Sequence, residues 1–449
     1  MKRREFIEKA GVIGTGIGLA PKMALNSSKS VLNVGFIGCG LRGQGHISLV
    51  LQRDDCRIVS LADPDPIMME RTQKLISTKL DYIPKTYSSG ERDYIKMLDR
   101  EDLDLVIIAT PWRWHTEMAV ACLERSIYTG LEVSGGISID ECWQTVRAEQ
   151  ASDKHLYFLE NVCFRRDVMA VLNMVRQGLF GELMHLECGY QHDLRNVKFN
   201  NGKQPYGGGV EFGENGFSEA RWRTVHSVNR NGDLYPTHGI GPVAQYININ
   251  KGNRFLYLTS VASKSRGLHN YILDHEKGGP DHPNAQIEFK LGDKITTMIT
   301  CANGETVVLH HDTNLPRPYS LGFRVQGTRG LWMDVNKSVY VEGRSDSHRW
   351  ESQAAYMEEY DHMLWRRYED SAKGAGHGGM DYFLLNSLID HAKINARPPF
   401  DAIDAATWKA ITPLSEASVA SEGSPQEFPD FSEGQWKSSK NDFAYGSEY

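Results

Sequence analysis

The most legible chemistry in the chain is carried by Gly38-Cys39-Gly40-Leu41-Arg42-Gly43 and by Asp63 beyond it. Gly-x-Gly-x-x-Gly is a weak signal alone and an informative one where a strand runs into it and a helix runs out. Gly38 permits a tight turn, Gly40 lets backbone approach a pyrophosphate, and Gly43 lets the helix lie close to the sheet. The helix N-terminus then turns unpaired N–H groups toward phosphate. A carboxylate at Asp63 accepts both hydroxyls of a ribose and repels a 2′-phosphate. Pro64 and Asp65 follow it with no arginine, so NAD is expected rather than NADP. Trp112, Arg113, Trp114 and His115 sit after a strand, in a loop facing the ligand crevice of a parallel sheet. Glu160 and Asn161 end a later strand, where Glu160 either closes the strand or reaches the nicotinamide ribose.

These residues need a frame. From Val31 onward, short apolar runs (VLNVGFIG, RIVSLAD, LDLVIIAT, SIYTGLEV, HLYFLEN) alternate with amphipathic ones (HISLVLQR, HTEMAVACLER, DECWQTVRAEQAS). That alternation predicts a parallel sheet with helices on both faces. After residue 162 the pattern becomes period-two: ELMHLECGYQH, RFLYLTSVAS, NAQIEFKL, ITTMITCA, ETVVLHHDT, YSLGFRVQGTRG and LWMDVNKSVYVEG. These runs predict a mainly antiparallel sheet with one covered face. The expected fold class is α/β: an N-terminal Rossmann sheet (31–162), then an α+β domain for substrate and oligomerisation (163–395). A C-terminal helix and extended tail (396–449) follow. The glycine-rich stretch around 196–220 reads as a long loop, a kind that in compact enzymes is usually functional.

Composition narrows the class. The net charge is −7 over 449 residues, and the first thirty residues carry +4, which leaves −11 on the remainder. Such a body has no general attraction to phosphate backbones, so nucleic acid is not an expected partner. Seven cysteines without a Cys-x-x-Cys pair read as buried thiols, and no metal site is expected. Nothing beyond Ser30 is apolar enough to span a bilayer. Residues 1–30 place Lys2-Arg3-Arg4 before a short apolar run, AGVIGTGIGLA, and resemble a twin-arginine export signal, so a periplasmic location is expected.

The order of parts resembles the glucose–fructose oxidoreductase and inositol dehydrogenase superfamily, which carries a Glu-Lys-Pro motif after the fifth strand. Here the motif reads Glu132-Val133-Ser134-Gly135-Gly136, with valine in place of the lysine that assists hydride exchange. A closer resemblance covers nearly the whole chain. The stretches GCGLRGQGH, TPWRWHTEMA, LEVSGG, LENVCFRRDVMAV, ARWRTVHS, NGDLYPTHGIGP, NLPRPYS and GHGGMDYFLL are similar to glycoside hydrolase family 109, NAD-dependent α-N-acetylgalactosaminidases. The resemblance implies cofactor contacts at Leu41, Arg42, Asp63, Trp112 to His115, Glu132, Val133 and Asn161. It implies substrate contacts at Tyr190, Arg223, Tyr235, Pro236, Thr237, His238 and Tyr319.

Direct glycoside cleavage needs two carboxylates flanking the bond, and no convincing pair emerges from the sequence. The NAD-dependent route needs none: hydride leaves C3 of the sugar, the resulting ketone acidifies the C2 proton, the aglycone is eliminated, water adds at C1, and hydride returns. The cofactor is never consumed, which reconciles a dinucleotide site with export. Tyr190 is the candidate base at C2, as a phenolate paired with a cation; His238 is the candidate acid or base at the C3 hydroxyl, with Tyr235 and Arg223 positioning the sugar. His185, His192, His310 and His311 have no telling partner spacing and read as surface or core residues. Two alternatives stay open: an exported sugar oxidoreductase with tightly held NAD or NADP, and a glycosidase of different hexosamine or anomer. The expected partner is a small-molecule or glycan substrate, and the exposed face of the second sheet suits a homodimer.

Overall fold

The computed structural model describes residues 29–446; the stretch read as an export signal falls almost wholly outside the described residues. The first sheet has six parallel strands: β1 (Leu32–Ile37), β2 (Cys56–Ala62), β3 (Lys85–Tyr87), β4 (Leu105–Ile108), β5 (Tyr128–Leu131) and β6 (Leu156–Phe158). Their spatial order is β3-β2-β1-β4-β5-β6. Every side chain of β4, β5 and β6 is buried, as expected of strands covered on both faces. The helices between them are α1 (Leu41–Val50), α2 (Pro66–Ser77), α3 (Asp93–Arg100), α4 (His115–Leu123) and α5 (Ile139–Ala151). Asp65 starts α2 by accepting the N–H groups of Ile67 and Met68, with Pro66 at the first helical position.

A short 3₁₀ turn (Asn161–Phe164) and α6 (Arg166–Arg176) lead to the second sheet. Its first strand is β7 (Leu183–Gln191), followed by α7 (Arg195–Lys198), α8 (Arg223–Asn229) and α9 (Thr237–Tyr246). Then come β8 (Phe255–Ala262), α10 (Gly267–Asp274), β9 (Lys294–Cys301), β10 (Thr306–Asp312), β11 (Arg324–Gly327), β12 (Gly330–Met333), β13 (Ser338–Val341) and β14 (Glu351–Ser352). The chain closes with α11 (Ala354–Glu359), α12 (Met363–Ala372), α13 (Met380–Ile394), α14 (Ala402–Ala420) and β15 (Gln426–Glu427). The nine strands lie in the order β14-β13-β12-β11-β7-β10-β9-β8-β15. All neighbours are antiparallel except β7 and β10.

One departure from the sequence reading, and one override of local propensity, have physical causes. The run NAQIEFKL is not a strand. It forms a 3₁₀ turn (Pro283–Gln286), and Phe289 packs into a satellite cluster with Phe199, Val210, Leu268 and Ile272, so its apolar side chains are buried without a ladder partner. Conversely, THGIGPVAQY, with two glycines and a proline, forms helix α9 against its own propensity. Packing requires the glycines: a Cβ on Gly239 would lie 2.6 Å from the Gly189 nitrogen, and one on Gly241 2.7 Å from Glu160 Cγ. Helix α9 therefore rests directly on β7 and on the turn after β6.

All seven cysteines are free, and six are buried. Among the described residues, no helix is long and apolar enough to cross a membrane, and no group of three or more His, Cys, Asp or Glu is placed to hold a metal.

Candidate active site

The carboxyl ends of β1, β4, β5 and β6 open into one crevice. Gly38 has φ +94°, and a Cβ there would lie 2.4 Å from the Ala109 carbonyl oxygen; a Cβ on Gly43 would lie 2.0 Å from that of Gly38. Both positions admit only glycine. A Cβ on Gly40, at the N-terminus of α1, would meet nothing within 4 Å. Open space thus lies ahead of a helix terminus that has no side-chain cap, the arrangement a pyrophosphate fills. Asp63 Oδ2 accepts the Cys39 N–H at 2.6 Å and Oδ1 accepts that of Asp65 at 2.8 Å, so its carboxylate is fixed at the end of β2. Arg221, from the long loop, comes within 3.4 Å of Asp65, an approach invisible in the sequence around Asp63.

Arg42 reaches along the crevice. Its Nε donates to Glu132 Oε1 at 2.5 Å, and its Nη1 and Nη2 donate to Asp381 at 2.6 and 3.1 Å. His46 Nε2 lies 2.7 Å from the same Glu132 oxygen. Burial opposes ionisation of Glu132, but Arg42 and His46 beside it hold the carboxyl far below its usual range. Asn161 donates to Asp381 at 2.7 Å, and its own Oδ1 is buried with no protein partner. Val133 is buried after β5, and Ser134 and Gly135 both have positive φ.

The Trp112–His115 run divides. Trp112 faces the second half of the site, 5.8 Å centroid to centroid from Tyr235. Arg113 turns outward to Glu91 at 2.6 Å and lies against Trp114. His115 is buried behind the turn with Nε2 2.9 Å from the Thr110 carbonyl, and burial pushes its imidazole down to about 4. Leu41 opens α1 beside the crevice, half-buried.

Across the crevice stands an aromatic and basic cluster. Tyr190, at the end of β7, stacks on Tyr235 with centroids 4.4 Å apart. His238, in the first turn of α9, has Nε2 3.4 Å from the Tyr235 hydroxyl and Nδ1 2.7 Å from Glu160 Oε1. The Glu160 side chain is fully buried and that of His238 15% exposed. Pro236 and Thr237, buried, begin α9. Arg223 lies over three rings, 5.3 Å from Trp112, 5.6 Å from Trp222 and 5.3 Å from Tyr235. Its Nε is 2.9 Å from Glu219, an ion pair too poorly aligned for a hydrogen bond. Tyr319 sits at the rim, half-exposed, edge-on to Tyr190 at 6.3 Å.

Two details of the site refine the sequence expectations. Burial raises the Tyr190 phenol, and Arg223 beside it pulls the other way. His192 is not a bystander. Its Nδ1 lies 3.2 Å from the Tyr190 hydroxyl, and burial, with Arg223, lowers its imidazole. The Tyr190-x-His192 spacing of two, with His192 directly after β7, was the available signal, since residues i and i+2 of an extended chain share a face. Glu160 does close the turn after β6, accepting the Val162 N–H at 3.0 Å, but its principal partner is His238.

Residues 164–438 match the domain described as Glycosyl hydrolase 109, C-terminal domain. The chain belongs to glycoside hydrolase family 109. Residues 32–157 match Oxidoreductase family, NAD-binding Rossmann fold, and the cofactor of this glycoside hydrolase is NAD. A glycosyl hydrolase family 109 protein of Stenotrophomonas maltophilia (strain K279a) is 49% identical, covering 100% of this chain and 99% of its own. An alpha-N-acetylgalactosaminidase of Tannerella forsythia is 51% identical over 97% of both chains. The fold is similar to that of a levoglucosan dehydrogenase solved with NADH and levoglucosan (TM-score 0.62, 18% identity, 89% of this chain and 99% of that one). It is likewise similar to that of a myo-inositol 2-dehydrogenase from Lactobacillus plantarum (TM-score 0.61, 11% identity, 89% and 100%).

Proposed function

We propose that the protein hydrolyses terminal α-linked N-acetylgalactosaminides by an oxidation–elimination–hydration–reduction cycle with no net redox change. The observation that carries this is the pairing, in one crevice, of the dinucleotide cradle with two proton-handling pairs, Glu160–His238 and Tyr190–His192, and no lysine after Glu132. The relatedness to the Tannerella forsythia alpha-N-acetylgalactosaminidase supports the choice of sugar. The Gly38–Gly43 turn and Asp63 would hold NAD, which would supply a reversible hydride acceptor for C3.

His238 Nε2 takes the C3 hydroxyl proton as hydride leaves, and the buried Glu160 carboxylate orients the ring and stabilises the imidazolium that forms. Tyr190 then removes the acidified C2 proton, having passed its own proton to His192. Loss of the aglycone from C1, carrying off the proton held by His192, gives an unsaturated ketone; water then adds at C1 and gives one proton to His192 while Tyr190 protonates C2, and His192 returns its proton to Tyr190. His238 gives its proton back as hydride returns to C3. Arg223 and Tyr235 hold the sugar, the aromatic faces excluding water from the reacting edge.

The test is turnover of aryl α-N-acetylgalactosaminide without added NAD. Solvent deuterium should enter C2 of the product, and deuterium at C3 should slow the reaction. Full-rate cleavage by NAD-stripped protein refutes the proposal. Export through the twin-arginine start is part of this reading, checked by fractionating cells that express the chain with Arg3 and Arg4 intact or replaced by Lys. So is a homodimer through the outer face of the second sheet, where Tyr257, Val261 and Met298 are exposed, checked by sedimentation.

A further inference from the structure

Three side chains far apart in sequence converge on one carboxylate. Asp381, in the first turn of α13, takes two hydrogen bonds from the Arg42 guanidinium, one from Asn161 and a contact of 2.7 Å with His377 Nδ1. Its side chain is only 5% exposed. Arg42 follows Gly40 at the start of α1, Glu132 follows β5, and Asn161 follows β6. The guanidinium therefore runs along the carboxyl edge of the first sheet, the edge on which open α/β sheets take their ligands. It ends on a helix that belongs to the other half of the chain. Because the Asn161 amide nitrogen is committed to Asp381, the amide cannot turn over, and Oδ1 is left as a buried acceptor without a protein donor. An orphaned buried acceptor is costly unless something fills it.

We propose that Asp381 is a positioning residue for the cofactor: it fastens Arg42 along the dinucleotide crevice and aims the Asn161 carbonyl at a donor on the nicotinamide half. The ion pair ties the glycine-rich turn to α13, so NAD leaves only after the bidentate contact opens. A hydrolase that returns its hydride each cycle gains from such retention, and in that respect the inference rests on the proposed function.

The test uses the full chain carrying Asp381→Asn, Asp381→Glu or Arg42→Lys. It measures NAD content after purification, NAD release into a scavenging mixture, and the unfolding temperature with and without NAD. Asp381→Asn should release NAD at least tenfold faster than the native protein, and Asp381→Glu should restore most of the retention. Arg42→Lys, which keeps the charge but loses the fork, should also release faster. The NAD-stripped forms should unfold at similar temperatures, so that only the NAD-dependent increment shrinks. Equal release rates in the native and Asp381→Asn proteins would overturn the assignment, as would a fall in the unfolding temperature of the stripped form with unchanged NAD release. If Asp381→Asn does not fold, Arg42→Lys decides by the same criteria. Rapid NAD loss from the native protein would count against the retained cofactor of the proposed function, while the ratio of variant to native release would still judge Asp381.

Discussion

Replacing Glu160 with Gln isolates what the buried carboxylate does for His238. Glutamine is nearly isosteric, can still accept the Val162 N–H, and can keep an oxygen toward His238 Nδ1, now 2.7 Å from Glu160 Oε1. What disappears is the negative charge opposite the imidazolium formed when Nε2 takes the C3 proton. A charged hydrogen bond contributes about 1.5–3 kcal/mol and a neutral one about 0.5–1.5 kcal/mol, so the transition state should lose about 1–1.5 kcal/mol. That corresponds to a fall of roughly 5- to 15-fold in kcat. Stability should move the other way or not at all. Glu160 Oε2 is buried without a partner, and a neutral amide is cheaper to bury than a carboxylate. The assay is stopped-flow formation of bound reduced nicotinamide in a single turnover, beside steady-state release of nitrophenol from protiated and 3-deuterated substrate. The isotope effect should grow as hydride transfer becomes more rate-limiting. A kcat within about twofold of native with an unchanged isotope effect, or a loss confined to KM, would refute the role given to this pair.

Four further outcomes follow from the geometry. His192→Asn should cut kcat by about 10²-fold and slow deuterium uptake at C2 in the same proportion, because general bases contribute on that scale. In the native protein the acid limb of kcat/KM should lie below the ordinary imidazole value of about 6.5, since burial and then Arg223 lower His192. Burial lifts the Asp233 carboxyl to about 7, so the folded state binds that proton more tightly than the unfolded one. Its stability is fully present below the unfolded value and drains away as pH rises toward 7, by at most about 4 kcal/mol. Asp233→Asn should therefore gain on the native protein near about pH 8 and far less near about pH 5, read from urea midpoints. Gly239→Ala drives a Cβ against the Gly189 backbone at 2.6 Å, so it should cost about 1–3 kcal/mol and lower activity by displacing α9 and His238 with it.

The cofactor half was readable because its demands are local: a glycine at φ +94°, an open helix terminus and an acid at the next strand end are written within thirty residues. The sugar half was less so. Tyr190, Arg223, Tyr235 and His238 came into view through resemblance to a family, while their partners Glu160 and His192 needed three dimensions. Glu160 meets His238 only because α9 folds as a helix in defiance of its glycines and proline, a tertiary override no propensity discloses. The setting of the Tyr190 phenol was half legible: a neighbouring cation was anticipated, but the stronger effect, desolvation, depends on how completely the ring is enclosed. Likewise Asp381, in the stretch GHGGMDYFLL quoted only for its resemblance to the family, acquires its meaning from Arg42 at the far end of the chain.

The seven thiols have a consequence for how the molecule lives. Thiolates, not thiols, react with oxidants. Burial pushes Cys56, the most accessible of the set, up to about 12, and drives the others higher still or as high. Maturation waits on no crosslink, and peroxide or glutathione finds almost nothing to attack. The covalent structure is therefore indifferent to whether the surroundings are reducing or oxidising.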